Sequence, residues 1–490
     1  MVEESCGVYG VYDESGKDIF PYLYWGLLAQ NHRGHQSYGF LTYSNGLHVH
    51  RDLGLVPQVE EENMGEWLKK LPGPIGVGHV RYATSGASDT ESLIRDSQPT
   101  TEESGNASVS IAFNGNVVNV LELKEEFKKE LDDRRKASDA VLISLKLLKE
   151  LKKGGDLASA VKSCMVSIEG AYSIAGLTGD GTLFAFRDPW GLRPLCLGQD
   201  NGLTAISSES PGLNINGINL KSDVNPGELV TVTENGLERR QITTSNKKAF
   251  CAFEFAYFAR PDSLFNSKYV YLARNDFGKN LGRRYHDIAK RLDVVFSLPE
   301  TADDAAYGFH EEVGIPWDRA LRRHRYVTQR AFISKLEDRG KIIERKTNIL
   351  GPRVAGKRVG VVDDSIVRGD TTRTNVKRLK AAGAVEVHLF ITFPRIIGPC
   401  FYGVDMTTYS ELIGARLTAE GIAKELGADS VNYQPIEDFI KATGLRREDL
   451  CLGCLTGEYP TPLAQKMAKE MLEKFERGEK ETGRIYEVLK

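Results

Sequence analysis

With 490 residues, 41% hydrophobic and 27% charged, the chain is too long for one ordinary core and has the composition of a globular protein of two or three domains. A net charge of −3 gives no overall basic bias toward nucleic acid or anionic lipid, and no uninterrupted apolar run approaches the roughly 18 residues of a membrane helix. We read two domains in a cytoplasmic protein, whose seven cysteines, an odd number, favour metal ligation or catalysis over a disulfide framework.

Residues 1–5 are too few for a secretory signal, and Cys6 follows them directly. From Cys6 to about Val232, short alternating apolar runs separated by Gly, Asn and Asp read as antiparallel strands, among them CGVYGVY, GLHVHRDLGLV and SVSIAFNGNVV. Two helical patterns interrupt them, LELKEEFKKELDDRRK and DAVLISLKLLKELKK, the second capped by Ser138. Helices packed on β-sheets in one α+β domain follow from that mixture. ENGLERRQITTSNKK reads as a polar connector. Beyond about Val270 the apolar strands RLDVVFSL, KRVGVVD and EVHLFIT alternate with helical segments, the texture of a parallel α/β sheet. The chain ends in a charged helix and tail. The expected boundaries are a cleaved leader at 1–5, a first domain at 6–245, a second at 246–465 and a terminal helix and tail at 466–490.

A free cysteine is most often a small buried hydrophobe. With the leader gone, however, Cys6 carries both a thiol and the chain's α-amine, whose pKa of about 7.7–8 suits a general base near neutral pH. Asn114 and Gly115 in FNGN offer a side-chain amide beside a backbone N–H at what reads as a tight turn, the donors an oxyanion needs. In the second half, VGVVDDSIVRGDTT is a strand, two carboxylates and a small-residue loop before a helix. The strand brings Asp363 and Asp364 to its C-terminal end, where α/β sheets bind ligands, and the loop's N–H groups can hold a phosphate. CLGC sets two thiols one turn apart, enough for zinc or for half an iron–sulfur site.

CGVYG, GHVRYATSG, FNGN, RDPWGLRPLCLG and VNPGELV, in this order, resemble the N-terminal-nucleophile glutamine amidotransferases. The resemblance implies that Cys6 attacks the glutamine side-chain amide, that Asn114 and Gly115 form the oxyanion hole, and that Arg81 and Asp139 hold the α-carboxylate and α-amine. Two departures touch none of these residues: Phe113 stands where His is usual, and NHRGHQSYGF is a loose version of a segment nearer QHRGQES.

The string VGVVDDSIVRGDTT resembles the phosphoribosyl-diphosphate loop of type I phosphoribosyltransferases. There the paired acids contact the ribose hydroxyls, and Ser365 through Thr372, with Thr371 and Thr372 at its end, cradle the 5′-phosphate. Both halves together, with CAFEFAYFARPDS, CFYGVD and CLGCLTGEYPT, resemble the amidophosphoribosyltransferase family. That implies glutamine-dependent ammonia transfer to phosphoribosyl diphosphate, giving phosphoribosylamine, glutamate and diphosphate, the first step of purine synthesis. It also implies Mg2+ at Asp363 and Asp364, purine nucleotides as effectors and a homo-oligomer. Some members carry a [4Fe–4S] cluster at the positions of Cys251, Cys400, Cys451 and Cys454, and all four are cysteine here; zinc is the alternative. Cys164 and Cys196 are expected in the core.

Three departures bear on the second activity. VVFSLPETADD, with Glu300, Asp303 and Asp304, replaces a PDSG-type diphosphate loop; Asp370 stands where Thr is usual; and RRHRYVTQRAFI replaces KNRYVGRTFI. A carboxylate about 4 Å from a phosphate charge costs about 4 kcal/mol at an effective dielectric of 20. Asp370 is therefore either inward and crippling, or outward and capping the following helix. The competing functions are a glutaminase with another ammonia acceptor, and a nucleotide- or redox-sensing protein with a degenerate transferase site.

Overall fold

The computed structural model describes residues 6–82, 90–131, 138–245, 247–324 and 347–481. The leader, the ATSG end of GHVRYATSG, most of RRHRYVTQRAFI and the end of the tail lie outside the described residues.

Alternating patterns in the first half build two antiparallel sheets packed face to face. One has seven strands, in the spatial order Leu220–Asp223, Cys196–Asp200, Leu203–Ser207, Gly7–Asp13, Ile75–Arg81, Ser37–Tyr43, Leu47–Leu53. The other has six, in the order Gly236–Gln241, Glu228–Thr233, Leu183–Arg187, Gly170–Thr178, Ala107–Val117, Thr100–Ser104. Because side chains alternate along a strand, Val8 and Tyr12 enter the layer between the sheets with Ala112, Ala175 and Val230, while Tyr9 and Val11 pack under helix Phe20–Leu28. Ile111, Phe113, Tyr172 and Ile174 cover the far side of the second sheet and take helices Asp139–Lys152 and Leu157–Ser167. Helices thus flank both sheets.

Local expectations needed correction at three points. Ser138 occupies the N-cap position, but its hydroxyl makes no capping bond and is buried without a partner. Among the described residues, the charged run after Val118 is helical over Val120–Glu126. Part of the polar connector is the edge strand Gly236–Gln241, held in register against Glu228–Thr233 and pinned where Arg239 Nε donates to Glu228 at 2.8 Å.

The second half contains a four-stranded parallel sheet, Val294–Ser297, Arg358–Asp363, Glu386–Ile391 and Ser430–Tyr433 in spatial order. Its strands read as continuous apolar runs because both faces are covered. Helices Asp370–Ala381 and Ala419–Leu426 lie on one face, Val270–Arg284 and Asp303–Val313 on the other. The last two approach closely enough that a Cβ on Gly278 would fall 1.8 Å from Ala305 O.

A further core joins the halves. Val118, Ala171 and Leu192 of the first domain pack with Phe253, Phe401 and Tyr402 of the second. The C-terminal helix begins at Pro462 and belongs to this core through Ala464, Met467 and Met471; its first turn is anchored by Leu463 N donating to Glu169 at 2.6 Å. Among the described residues, no helix is long and apolar enough to cross a membrane.

Candidate active site

Cys6 sits one residue before strand Gly7–Asp13, partly buried, with Sγ 3.5 Å from both the N and the O of Tyr82. Its carbonyl accepts a bond from Arg33 Nε at 3.0 Å. Burial pushes the thiol pKa up, against the opposing pull of the Tyr82 backbone, Arg81 and Arg33. Attack by this thiol therefore calls for a base to take its proton.

Asn114 and Gly115 come from the middle of strand Ala107–Val117, opposite Ser173 and Tyr172, and not from a turn. Gly115 answers to close approach: a Cβ there would lie 1.9 Å from Ala171 O. Asn114 is fully buried, yet neither Oδ1 nor Nδ2 has a hydrogen-bond partner among the described residues. A buried amide left unpaired costs about 1–3 kcal/mol, which a ligand with matching groups would offset. Beside it, His79 Nε2 meets Phe113 O at 3.0 Å and ties the two sheets together. Burial pushes this imidazole down to about 3, so it is neutral and donates.

Arg81 closes strand Ile75–Arg81. Its side chain is buried, with Nη2 3.7 Å from Asp96 and Nη1 unbonded. Asp139 opens helix Asp139–Lys152 and accepts from Val117 N at 2.8 Å, so it is anchored to the strand that carries Asn114 and Gly115.

At the other site, Asp363 ends its strand at the C-terminal edge of the parallel sheet and accepts from Asp364 N at 2.9 Å; Ser365 Oγ donates to Asp364 at 2.7 Å. Burial raises both pKa values, and for Asp363 the neighbouring Asp364 adds to it. Gly369, at φ +87°, turns the loop into helix Asp370–Ala381. Thr372 is buried and Thr371 half-buried. Asp370 lies outward, its side chain 59% exposed and paired with Arg373 at 3.1 Å. It is not the cap, however: Gly369 holds that position, and Asp370 occupies the first turn.

The acids of the altered diphosphate loop separate. Glu300 pairs with Arg323 at 3.2 Å, Asp303 accepts from Ser297 Oγ, and Asp304 has its pKa raised by burial against the pull of Arg274. Arg274 is buried, held by the carbonyls of Phe255 and Ala259 at 2.9 and 2.8 Å, and acts on both Asp304 and Asp364.

Cys251, Cys400, Cys451 and Cys454 line one cavity with Leu192, Phe253, Val404, Met406 and Tyr459. Cys251 and Cys451 are paired neighbours in a two-residue parallel bridge. Burial pushes the Cys251 thiol up to about 12 and those of Cys451 and Cys454 further. All seven cysteines are free, and Cys164 and Cys196 lie in the core as expected. Among the described residues, no group of three or more His, Cys, Asp and Glu side chains is arranged to hold a metal ion.

Four further residues were not singled out from the sequence. Arg33, Arg193, Glu209 and Glu254 form a buried ionic network between the domains, with Glu209 also accepting from His32 and Ser263. For three of them the signal available was their position inside quoted motifs, Arg33 in NHRG, Arg193 in GLRP and Glu254 in CAFEF; Glu209 lies in none.

A domain of two packed antiparallel sheets flanked by helices, with a cysteine before its first strand and a buried unpaired amide on the facing sheet, joined to a parallel sheet with acids at its C-terminal edge, has the make-up of a two-domain glutamine amidotransferase. A family model described as a glutamine amidotransferase domain matches residues 84–214. Full-length relatives are the amidophosphoribosyltransferases of Methanocaldococcus jannaschii, 37% identical over 93% of this chain and 98% of that one, and of Bacillus subtilis, 35% identical over 95% and 96%. A solved structure, the glutamine phosphoribosylpyrophosphate amidotransferase of B. subtilis complexed with ADP and GMP, superposes with a TM-score of 0.83 at 32% identity over 94% of this chain and 98% of that one. The chain belongs to the amidophosphoribosyltransferase family and is an enzyme of the first step of purine synthesis. A different acceptor or a purely sensing role is not favoured, because the relatedness runs through the transferase half as well.

Proposed function

We propose the following division of labour. Cys6, made N-terminal by removal of residues 1–5, attacks the glutamine side-chain amide, its own α-amine taking the thiol proton. Asn114 Nδ2 and the Gly115 N–H stabilise the oxyanion, Arg81 binds the α-carboxylate through its unbonded edge, and Asp139 binds the α-amine. The ammonia released displaces diphosphate from phosphoribosyl diphosphate in the second domain. There Asp363 and Asp364 orient the ribose, and Ser365, Thr371, Thr372 and the intervening N–H groups hold the 5′-phosphate. Magnesium, whose hard oxygen ligands fit this carboxylate pair, supplies charge neutralisation for the departing diphosphate. The observation that carries the glutaminase half is the buried Asn114 amide with both polar atoms unpaired.

The donor set at the four-cysteine cavity suits a [4Fe–4S] cluster, held by Cys251, Cys400, Cys451 and Cys454. Such a cluster would cross-link segments far apart in sequence. Binding would release the four thiol protons, so assembly would be favoured by rising pH. Purine nucleotides as effectors, a homo-oligomer and a cytoplasmic setting complete the reading; the B. subtilis relative was solved with ADP and GMP.

The test is Cys6→Ala. Glutamine-dependent turnover should vanish while ammonia-dependent turnover persists, and intact mass of the active wild-type protein should begin at Cys6. Full activity with Met1 retained rejects the N-terminal-nucleophile mechanism.

A further inference from the structure

The buried network between the domains has a specific wiring. Arg33, Arg193, Glu209 and Glu254 carry two charges of each sign, and their side chains are at most 1% exposed. Burying charges in this way is a poor source of stability, because desolvation offsets most of the attraction; a network of this kind is better suited to fixing geometry.

Glu254 is its centre. Its Oε1 accepts from Arg33 Nη2 at 2.9 Å and from Arg193 Nη1 at 3.1 Å, and its Oε2 accepts from Arg33 Nη1 at 3.0 Å. Each arginine spends its remaining edge on a carbonyl. Arg33 Nε donates to Cys6 O at 3.0 Å, and Arg193 donates from Nε and Nη2 to Tyr402 O at 3.1 and 2.7 Å. One carboxylate therefore holds both the guanidinium that grips the nucleophile's carbonyl and the guanidinium that grips the transferase-side segment Phe401–Tyr402. The same segment reaches the oxyanion strand, where Asn116 Nδ2, one residue beyond Gly115, donates to Phe401 O at 2.9 Å. Gly403 keeps that junction tight: a Cβ there would meet Arg193 Nη2 at 2.9 Å and Gly115 O at 3.3 Å.

We infer that Glu254, which belongs to the second domain, is a positioning residue for the first domain's chemistry. It sets the place of Cys6 through Arg33 and makes that place depend on the seating of Phe401–Tyr402 through Arg193. Glutamine hydrolysis is thereby tied to correct docking of the transferase half. The inference uses the reading of Cys6 as nucleophile and needs no bound cluster.

Glu254→Gln removes the charge at nearly constant shape, leaving Arg33 its pair with Glu209 but Arg193 with no carboxylate and the link between the two guanidiniums reduced to one neutral amide. In the full-length enzyme kcat for glutamine hydrolysis should fall by about tenfold or more, with KM for glutamine within about threefold, because the nucleophile is displaced while the substrate pocket stays. Ammonia-dependent turnover in the same preparation should stay within about twofold, a split that general loosening of the fold would not produce. The rate at which a glutamine-shaped diazoketone alkylates Cys6 should fall in parallel with kcat. Hydrolysis near the wild-type rate in a folded Glu254→Gln protein overturns the inference, as does a parallel loss of both activities. Should that variant not fold, Arg193→Lys keeps the charge but loses the two-pronged hold on Tyr402 O, and the same split decides. If neither variant folds, the network is a structural requirement and the inference is overturned. Cys6→Ala separates the two readings. Retained hydrolysis in it rejects the nucleophile, whereas its loss beside an unaffected Glu254→Gln protein rejects only the role of Glu254.

Discussion

Replacing Asp370 by Thr, the residue usual at this point of the 5′-phosphate loop, tests whether the outward carboxylate leaves phosphoribosyl diphosphate binding intact. Asp370 is 59% exposed and shares its charge with Arg373 at 3.1 Å. Through water, a unit charge about 8 Å from a phosphate contributes about 0.5 kcal/mol, and salt at physiological strength reduces it further. Arg373, of opposite sign, cancels part of the rest. An inward carboxylate at about 4 Å in a partly buried site would instead cost about 4 kcal/mol, close to a thousandfold. The expected result of Asp370→Thr is therefore a change in affinity of less than about tenfold. A stability loss of about 0.3–1 kcal/mol should accompany it, because an acid in the first turn complements the helix dipole. Isothermal titration with phosphoribosyl diphosphate and magnesium, alongside thermal unfolding, reads both. Tightening by two or more orders of magnitude would refute the outward geometry. Absence of binding by either protein would refute the assignment of this loop to the 5′-phosphate.

Other expectations follow from the same contacts. Asn114→Ala should lower kcat for glutamine hydrolysis by about 10²–10³-fold without destabilising the protein, since it deletes a buried amide that has no partner in the free enzyme; a large drop in melting temperature would contradict this. Protein purified without air should contain about four irons per chain and lose more stability with Cys451→Ser than with Cys164→Ser; stoichiometric zinc with negligible iron rejects the cluster. Glu209 should make the fold acid-sensitive: burial alone would raise its pKa, but His32 and Arg33 hold it far below its ordinary 4.5. Its contribution is fully present above about pH 4.5 and is lost as pH falls toward the depressed folded value. Glu209→Gln should flatten the acid limb of a melting-temperature profile between pH 7 and 3, and an unchanged limb refutes the assignment.

How much of this was legible in the sequence depends on the range of each interaction. Strands such as Gly7–Asp13 and Arg358–Asp363 could be read because their burial is written in adjacent residues: both are covered on both faces and buried almost throughout. Asp363 and Asp364 at a strand end were legible for the same reason. Asn114–Gly115 misled, because the glycine answers not to a local turn but to Ala171 on a neighbouring strand. Gly236–Gln241 misled because an edge strand can be polar on most of its length when backbone pairing and one ion pair hold it. The Arg33, Glu209, Glu254 and Arg193 network was illegible as a network: Arg33, Arg193 and Glu254 sit inside recognisable motifs and Glu209 in none, and which segment faces which is decided by the docking of two domains.

The same distinction explains how a transferase tolerates acids where its relatives' pattern has none. Counted along the chain, Glu300, Asp303, Asp304 and Asp370 add four carboxylates around a site built for phosphates. In three dimensions, Glu300 and Asp370 are drawn to Arg323 and Arg373 on the surface, and Asp303 turns back to Ser297 at the strand end. Asp304 and Asp364 share one cation, Arg274, fixed in place by two backbone carbonyls. Two of the four added charges are thus offset at the surface by arginines of their own. A loop can therefore change from small and neutral to acidic without reversing the sign of the site, provided each new charge arrives with its own partner.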